Sequence, residues 1–451
     1  MVRNGRFLIT LLAISLIIGL IGWTLLPGLI GALPGRVKEQ LPGRVLALAL
    51  TPLPTALPAP ERVEGVATAV IRIPTLPPPS PTATATTPPP ATGHQPPATN
   101  HPPPATPTPT ATSHQLPATS HLPGLTIVPQ KFNNCGPTNL SLVLNYYGVA
   151  DDQFDVAAII RPTYEDRNVS PEEMAYDVNE NTPLRAALHR GGDLELLQRL
   201  LAAGYPVIIE TGLLLSEREG WMGHYLTLIG YDAAEEQFIS LDTFRGPWDG
   251  SGRADSFAWV AEYWSHFNNV FLVVYPAADE AEVANLIGPE RRNPLTMWRQ
   301  AAEQAEQAAQ REPENGFAWF NLGSSLTRLG NLTGESDYYA SAAEAFDRAR
   351  LAGLPWRMVW YQFEMYEAYL GNGRYEDILT LTAAAIQSGG NFVEETHLYR
   401  GHALAALGEL PAARTAYNQA ISLNPASAVG RAAQASLSGL TTPQTATPLI
   451  P

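Results

Sequence analysis

Proline is distributed very unevenly along the 451 residues, and this divides the chain into unlike parts. Residues 50–124 contain 21 of the 41 prolines, and most of the other positions there are Thr, Ala or Ser. Such a segment buries too little apolar surface to offset the entropy lost on folding, and its prolines favour an extended polyproline II conformation. We therefore predict a disordered Pro/Thr/Ala-rich stalk over residues 37–124. A stalk of this kind is a semi-rigid spacer that reaches on the order of 200 Å when fully extended.

Four histidines fall within this stalk: His94, His101, His114 and His121. A weak metal-binding tract is one interpretation of them. Because a proline-rich spacer holds no fixed coordination geometry, we favour a simple tether.

An uncharged, apolar stretch begins at Phe7 and ends at Leu33. About 20 such residues span a hydrocarbon core of roughly 30 Å as a helix, and residues 7–26 alone supply that length. A cleaved signal peptide is the alternative, but its apolar core would be shorter and a small-x-small site would follow directly. We therefore expect residues 1–36 to be a single-pass signal-anchor. Since the short N-terminal flank is easily left inside, the N-terminus is expected in the cytoplasm and the rest of the chain outside.

Charge and cysteine content exclude several classes of function. Residues 125–451 carry a net charge of −19, so no basic footprint for a nucleic-acid partner exists there. A single cysteine cannot form an internal disulfide, and no Cys/His cluster has zinc-ligand spacing. We expect neither a metal nor a cofactor.

The single cysteine, Cys135, precedes a predicted helix. Leu140, Val143, Leu144 and Tyr147 recur at helical spacing after it. At a helix N-terminus, free N–H groups and the helix dipole stabilise a thiolate and lower its pKa. The position therefore suits a reactive thiol, whereas a buried structural cysteine more often lies inside an apolar run.

A nucleophilic thiol needs a base, and the base needs an orienting partner. Among the histidines outside the stalk, His189 is predicted to end a helix and His266 to lie in a solvated loop. His224 is predicted to open an apolar strand that follows Gly223, where it can face a cleft. Asp242 ends the next strand, so its carboxylate can lie beside the imidazole. A turn-starting role for Asp242 is the alternative.

These residues resemble the papain-like cysteine peptidases of the C39-like group, over about residues 125–277. The matching segments are Gln130, residues 134–138, residues 223–232, Leu241 with Asp242, and residues 269–276. The resemblance implies Cys135 as nucleophile, His224 as base and Asp242 as the residue that orients it. It also implies that Gln130 and the Cys135 backbone N–H stabilise the oxyanion. Where the family usually has Asp-Pro, this sequence has Asp242-Thr243.

The segments between the motifs predict helices followed by strands, which is the α+β pattern that a papain-like fold requires. Residues 170–173 form a capping box, and residues 193–204 read as an amphipathic helix that ends at a glycine. Glu210 follows a predicted buried strand and is expected to be a solvated strand end, with a place in the cleft as the alternative. The loop from residue 211 to 223, with Trp221, is expected to border the substrate groove.

Residues 294–440 are rich in alanine and contain no strand-like runs. Gly401, Leu404, Ala413, Tyr417 and Ala420 stand at successive positions of a pattern that resembles the tetratricopeptide repeat (TPR), and an earlier copy runs from Trp319 to Ala349. Generic helical hairpins are the alternative. The resemblance implies an all-α solenoid whose concave face binds a peptide or an unknown protein partner. Residues 278–293 are expected to be a linker and residues 441–451 a disordered tail.

The sequence therefore predicts a membrane-tethered, extracytoplasmic cysteine peptidase with a TPR module. Two alternatives stay open: a non-catalytic surface protein that only binds peptides, and a cell-wall amidase or transferase with the same Cys-His-Asp chemistry. Bacteriocin-processing members of the wider family are joined to an ABC transporter. Because this chain has neither a Walker-type loop nor several spans, we do not predict cleavage of double-glycine leaders.

Overall fold

The computed structural model describes residues 56–60, 116–214 and 220–440, together with Leu26, Ile71, Ile73 and Pro74. Nearly all of the predicted signal-anchor, most of the stalk and the whole tail lie outside the described residues. Within the described part of the chain, no helix is both long enough and apolar enough to span a bilayer.

The first folded region is built on one antiparallel sheet. Its strands are β1 Thr119–His121, β2 Leu184–His189, β3 Val207–Leu214, β4 Trp221–Asp232, β5 Gln237–Leu241, β6 Arg253–Ser256 and β7 Phe271–Pro276. They run in the order β2-β7-β3-β4-β5-β6, and β1 pairs with the end of the long strand β4. The predicted helix end at His189 is wrong, because β2 pairs with β7 along its full length. A short run of Ala and Leu can form a helix or a strand, so the pairing with the distant strand β7 determines which one forms here.

Helices cover both faces of this sheet. They are α1 Cys135–Tyr146, α2 Gln153–Ile160, α3 Pro171–Asn181, α4 Leu194–Ala202, α5 Phe257–Ser265, α6 Glu280–Ile287 and the short α7 Pro289–Arg292. Side chains alternate along β3: Ile208 packs with α1–α3, whereas Val207 and Ile209 pack with α4. The predicted capping box at the start of α3 is present. The region is α+β, as the sequence predicted.

The ordered region begins earlier and ends later than the sequence predicted. Strand β1 lies within the predicted stalk, and the amide of Leu122 donates to Ile229 O at 2.7 Å. Gly230 allows β1 to approach, since a Cβ there would lie 2.3 Å from the carbonyl oxygen of Ser120. At the other end, the predicted linker forms α6 and α7, and Val283 and Ile287 join the core.

A helical region follows the sheet. Its helices are α8 Pro294–Arg311, α9 Gly316–Thr333, α10 Ser336–Leu351, α11 Glu364–Gly371, α12 Tyr375–Gln387, α13 Glu394–Ala406, α14 Leu410–Leu423 and α15 Ala428–Gly439. Small residues let paired helices approach closely. A Cβ at Gly323 would lie 2.8 Å from the ring of Phe346, and one at Gly401 would lie 2.4 Å from Tyr417.

Parts of the predicted stalk pack against this helical region. Leu57 is buried and its amide donates to Leu354 O at 2.9 Å, while Arg350 Nε donates to Pro58 O at 2.8 Å. The hydroxyl of Tyr338 donates to Pro74 O at 3.1 Å. These short stretches therefore contact folded protein, which the prediction of a free spacer did not include.

The α+β and helical regions share an aromatic interface. His266 stacks on Phe317 with ring centroids 3.6 Å apart, and it accepts a hydrogen bond from Trp221 Nε1 at 3.1 Å. Trp221 also contacts Phe267 and Tyr361. The prediction of a solvated His266 is wrong, and Trp221 does not border the groove, because both rings are buried at this interface. Other residues of the segment 211–223, namely Leu213, Met222 and Gly223, do line the pocket that contains Cys135.

Candidate active site

Cys135 is the first residue of α1, as the sequence predicted. Asn134 precedes the helix and is held in place, since its Nδ2 donates to Gln153 Oε1 at 3.2 Å and its Oδ1 accepts from Arg161 Nη2 at 2.6 Å. Behind the cysteine, a Cβ on Gly136 would lie 3.1 Å from Val169. The thiol is therefore held at a helix N-terminus by a buried polar network.

His224 lies inside β4 rather than at the start of a strand, because β4 already begins at Trp221. Strands β4 and β5 are antiparallel neighbours, and Thr227 pairs with Leu241. This register brings Asp242, the residue after β5, beside the imidazole. The Nε2 atom of His224 lies 2.9 Å from Oδ1 of Asp242.

Asp242 also starts a turn, so the two interpretations of this residue are both correct. Its Oδ1 accepts the backbone N–H groups of Phe244 and Arg245, each at 2.9 Å. Its Oδ2 accepts from Arg253 Nη1 at 2.5 Å. The carboxylate is therefore fixed by three donors besides His224.

The electrostatics of the site favour a thiolate–imidazolium pair. Burial raises the pKa of the Cys135 thiol, but the hydrogen bond and positive charge of His224 outweigh burial, and the net shift is downward. Burial lowers the pKa of His224, yet the hydrogen bonds with Asp242 and Cys135 raise it to about 9. The pKa of Asp242 is lowered because hydrogen bonding to His224 and the charge of His224 overcome burial. The proton of the thiol is therefore more stable on the imidazole.

Gln130 lies in the same pocket, and Thr243 anchors it. The Thr243 hydroxyl donates to the side-chain Oε1 of Gln130 at 2.8 Å, and the backbone N–H of Gln130 donates to the backbone carbonyl oxygen of Thr243 at 2.8 Å. Asn139 Nδ2 in turn lies 3.3 Å from Thr243 Oγ1. The Thr243 hydroxyl therefore holds the acceptor end of the Gln130 side chain. The donor end, Nε2, remains available to a bound ligand.

These residues surround a pocket of about 330 Å³. Among the residues that line it are Gln130, Cys135, Arg167, Glu210, Met222, Gly223, His224, Phe244 and Tyr361. Tyr361 comes from the helical region, and no local sequence signal indicated it. Glu210 is buried, so the expectation of a solvated strand end is wrong. Burial raises its pKa well above the ordinary range even though it has a hydrogen bond with Tyr225.

The described histidines other than His224 lie outside this pocket: His121, His189, His266, His397 and His402. In the described part of the chain, no three His, Cys, Asp or Glu side chains are grouped so that they could hold a metal ion. Three of the four stalk histidines lie outside the described residues.

The α+β region matches a known protein family. A sequence model of the Peptidase C39-like family matches residues 120–271. Two solved structures cover about a third of the chain. One is a Bacillus anthracis protein described as a C39-like peptidase (18% identity, 35% of this chain and 96% of that chain, TM-score 0.29). The other is the peptidase domain of Streptococcus ComA, a bifunctional ABC transporter of a quorum-sensing pathway (16% identity, 34% and 99%, TM-score 0.27).

No curated protein matches the chain. The family match begins at β1 and extends into β7, so it includes Gln130, Cys135, His224 and Asp242. Residues 120–271 therefore form a domain that matches the C39-like peptidase family, and a helical region follows it.

Proposed function

We propose that the chain is a cysteine peptidase in which Cys135 is the nucleophile, His224 the general acid and base, and Asp242 the residue that orients His224. The observation that carries this proposal is that Cys135 and His224 line one pocket, while Asp242 Oδ1 lies 2.9 Å from His224 Nε2. A complete arrangement of this kind disfavours a protein that only binds peptides.

In the proposed reaction, the Cys135 thiolate attacks the carbonyl carbon of a peptide bond. The oxyanion forms opposite Gln130 Nε2 and the Cys135 backbone N–H, and each such donor contributes about 3–4 kcal/mol to stabilising the transition state. The imidazolium of His224 then gives its proton to the leaving amine, and a thioester remains on Cys135. A water molecule, deprotonated by His224, hydrolyses the thioester and restores the free thiol.

We propose that the other parts of the chain bind the substrate and anchor the active site at the membrane. A TPR-like helical region that binds a peptide or protein would hold substrates near the pocket. A signal-anchor at residues 1–36 would place both folded regions outside the cell. Protease treatment of intact cells should then release the folded regions, whereas protection from the protease would contradict this orientation.

A peptide-library digest tests the enzymatic proposal. The full chain is incubated with a mixture of unstructured peptides, and new termini are identified by mass spectrometry. We expect cleavage that is lost in Cys135→Ala and in His224→Ala but retained in His121→Ala, a substitution of an exposed histidine on β1. Equal cleavage by Cys135→Ala would overturn the proposal. Release of ammonia or exchange of acyl groups without new peptide termini would instead favour the amidase or transferase.

A further inference from the structure

A second and larger cavity lies between the α+β region and the helical region. It measures about 600 Å³, and α3 forms one side while α9, α11, α13 and the start of α15 form the others. Glu210 and Tyr361 line both this cavity and the active-site pocket. The chamber therefore adjoins the pocket that contains Cys135.

Carboxyl groups outnumber cations in the chamber wall. Six carboxyl groups face three arginines: Glu172, Glu173, Glu210, Glu364, Glu367 and Glu395 against Arg190, Arg328 and Arg431. Two of these arginines are paired with carboxylates, and the third donates to a backbone carbonyl. Arg190 pairs with Glu172 at 2.7 Å, Arg328 pairs with Glu364 at 2.9 Å, and Arg431 donates to the carbonyl of Ala426.

The unpaired acids gather where α3 and α13 begin. Glu173 is at the start of α3, Glu395 is at the start of α13, and Glu394 lies behind Ser427. Burial, followed by the negative charge of Glu173, raises the pKa of Glu395 well above the ordinary range. Burial likewise raises the pKa of Glu173 to about 8. Within the described residues, none of these three acids has a basic partner, so a bound cation would stabilise their ionised forms.

Two buried oxygen atoms in or beside the chamber also lack a partner among the described residues. They are Oγ of Ser324, a wall residue that is only 2% exposed, and Oε2 of Glu394, which is 4% exposed. A buried polar atom without a hydrogen bond costs about 1–3 kcal/mol, so a ligand that hydrogen-bonds to these atoms would recover part of that cost. The acids are not grouped to hold a metal ion, which favours an organic cation.

Part of the remaining wall is apolar or aromatic, and Asn and Ser side chains complete it. The apolar and aromatic residues include Tyr176, Trp298, Phe363, Tyr399 and Val429. Rings of this kind bury an aliphatic stem and attract a cation over their faces. Apolar walls with a carboxyl-rich end therefore match the shape and chemistry of a long basic side chain.

We propose that this chamber binds a lysine or arginine side chain of the substrate, with its cationic head between Glu173 and Glu395. The inference rests on the proposed peptidase function for the identity of the ligand, a peptide. It makes the helical region part of the specificity site, because Glu395 belongs to that region while Cys135 belongs to the other.

Peptide binding to the full-length Cys135→Ala variant tests this inference without requiring cleavage. The probes are fluorescent acetylated hexa-alanine peptides in which lysine, arginine, norleucine or glutamate replaces one alanine, scanned through all positions. We expect lysine or arginine at one position to bind at least about tenfold more tightly than norleucine, and glutamate more weakly still.

Adding Glu173→Gln and Glu395→Gln should abolish that preference. Glutamine keeps the capping box of α3 intact, so the helix start is preserved. Glu376→Gln, at an exposed position of α12 outside the chamber, is the matched control and should keep the preference. Equal binding of the lysine and norleucine peptides, or an unchanged preference in the double variant, would overturn the inference.

Cleavage by the wild-type chain then separates the two proposals. If the basic peptides bind selectively but no peptide is cut, the chamber stands and the peptidase function fails. If peptides are cut with no preference for a basic residue, the peptidase function stands and the chamber assignment fails.

Discussion

The Nε2 atom of His224 lies 2.9 Å from Oδ1 of Asp242, and the two residues are only 3% and 1% exposed. Because Asp242 occupies Nε2, the other ring nitrogen, Nδ1, is left to face Cys135. The carboxylate thus sets both the orientation of the ring and the nitrogen that exchanges a proton with the thiol. It also stabilises the imidazolium, which is why the pKa of His224 rises to about 9 despite burial.

Asp242→Asn should remove this support while keeping the shape of the side chain. We expect kcat to fall by about 10³–10⁴-fold, as the loss of the carboxylate does in comparable triads. The pKa of His224 should fall from about 9 toward or below its ordinary range. The measurements are steady-state hydrolysis and NMR titration of the imidazole. Asp249→Asn, in an exposed turn, is the control, and an equal loss there would show that the effect is not specific to the pair.

Thr243→Val should release the anchor of Gln130. Valine fills a similar volume but cannot donate to Gln130 Oε1, so the side chain no longer keeps Nε2 directed at the oxyanion. We expect kcat to fall by about tenfold or more with little change in KM, because the lost interaction belongs to the transition state. Thr243→Ser keeps the hydroxyl and should retain most of the activity. If Thr243→Val were as active as Thr243→Ser, the hydroxyl would have no role in positioning Gln130.

Removing residues 294–440 should destabilise the C39-like domain and impair the proposed peptidase activity. The sequence alone predicted a peptide- or protein-binding module here. In the structure, deletion removes Tyr361 from the active-site pocket and exposes Trp221 and Phe267. Re-exposing each large aromatic ring costs about 1.5–3 kcal/mol. We therefore expect the truncated chain to unfold at lower denaturant concentration and to lose small-substrate turnover; full activity of a stably folded truncation would contradict this.

The interface between the two regions should weaken in acid. Burial lowers the pKa of His266 to about 4 from an ordinary value near 6.5. As pH falls from 6.5 to 4, His266 is protonated in the unfolded chain but stays neutral in the folded chain. The free energy of unfolding therefore decreases over this range. The total loss from this group is about 3 kcal/mol. Denaturant titrations at several pH values measure it, and His266→Gln should flatten the dependence over this window.

The sequence predicted which side chains lie close together in the pocket better than it predicted their surroundings. Cys135 sits in a local helix-start motif, and His224 and Asp242 lie on neighbouring strands joined by a short turn, so short-range patterns bring them together. Glu210 and Tyr361 enter the pocket only through long-range packing. No short sequence pattern predicts that packing.

Position 243, where the C39-like family usually has proline, is a second example of a contact that the sequence could not predict. Sequence comparison marked Thr243 only as a difference, whereas the structure gives its hydroxyl a specific contact with Gln130. The edges of the folded regions were also misplaced. Strand β1 and helix α6 are short, and what stabilises them is pairing and burial against residues far away in the chain.

The pH dependence of Cys135 alkylation tests the central claim most directly. Cys135 is the single cysteine, so iodoacetamide reports on one site in the full chain. If His224 activates the thiol, alkylation should reach its plateau well below the ordinary thiol pKa of about 8.5 and stay there above pH 9, while peptide hydrolysis declines as His224 loses its proton near 9. His224→Ala should move the alkylation midpoint upward by at least about one pH unit. A wild-type midpoint near 8.5 that His224→Ala leaves unchanged would contradict the assignment of Cys135 as a nucleophile activated by His224.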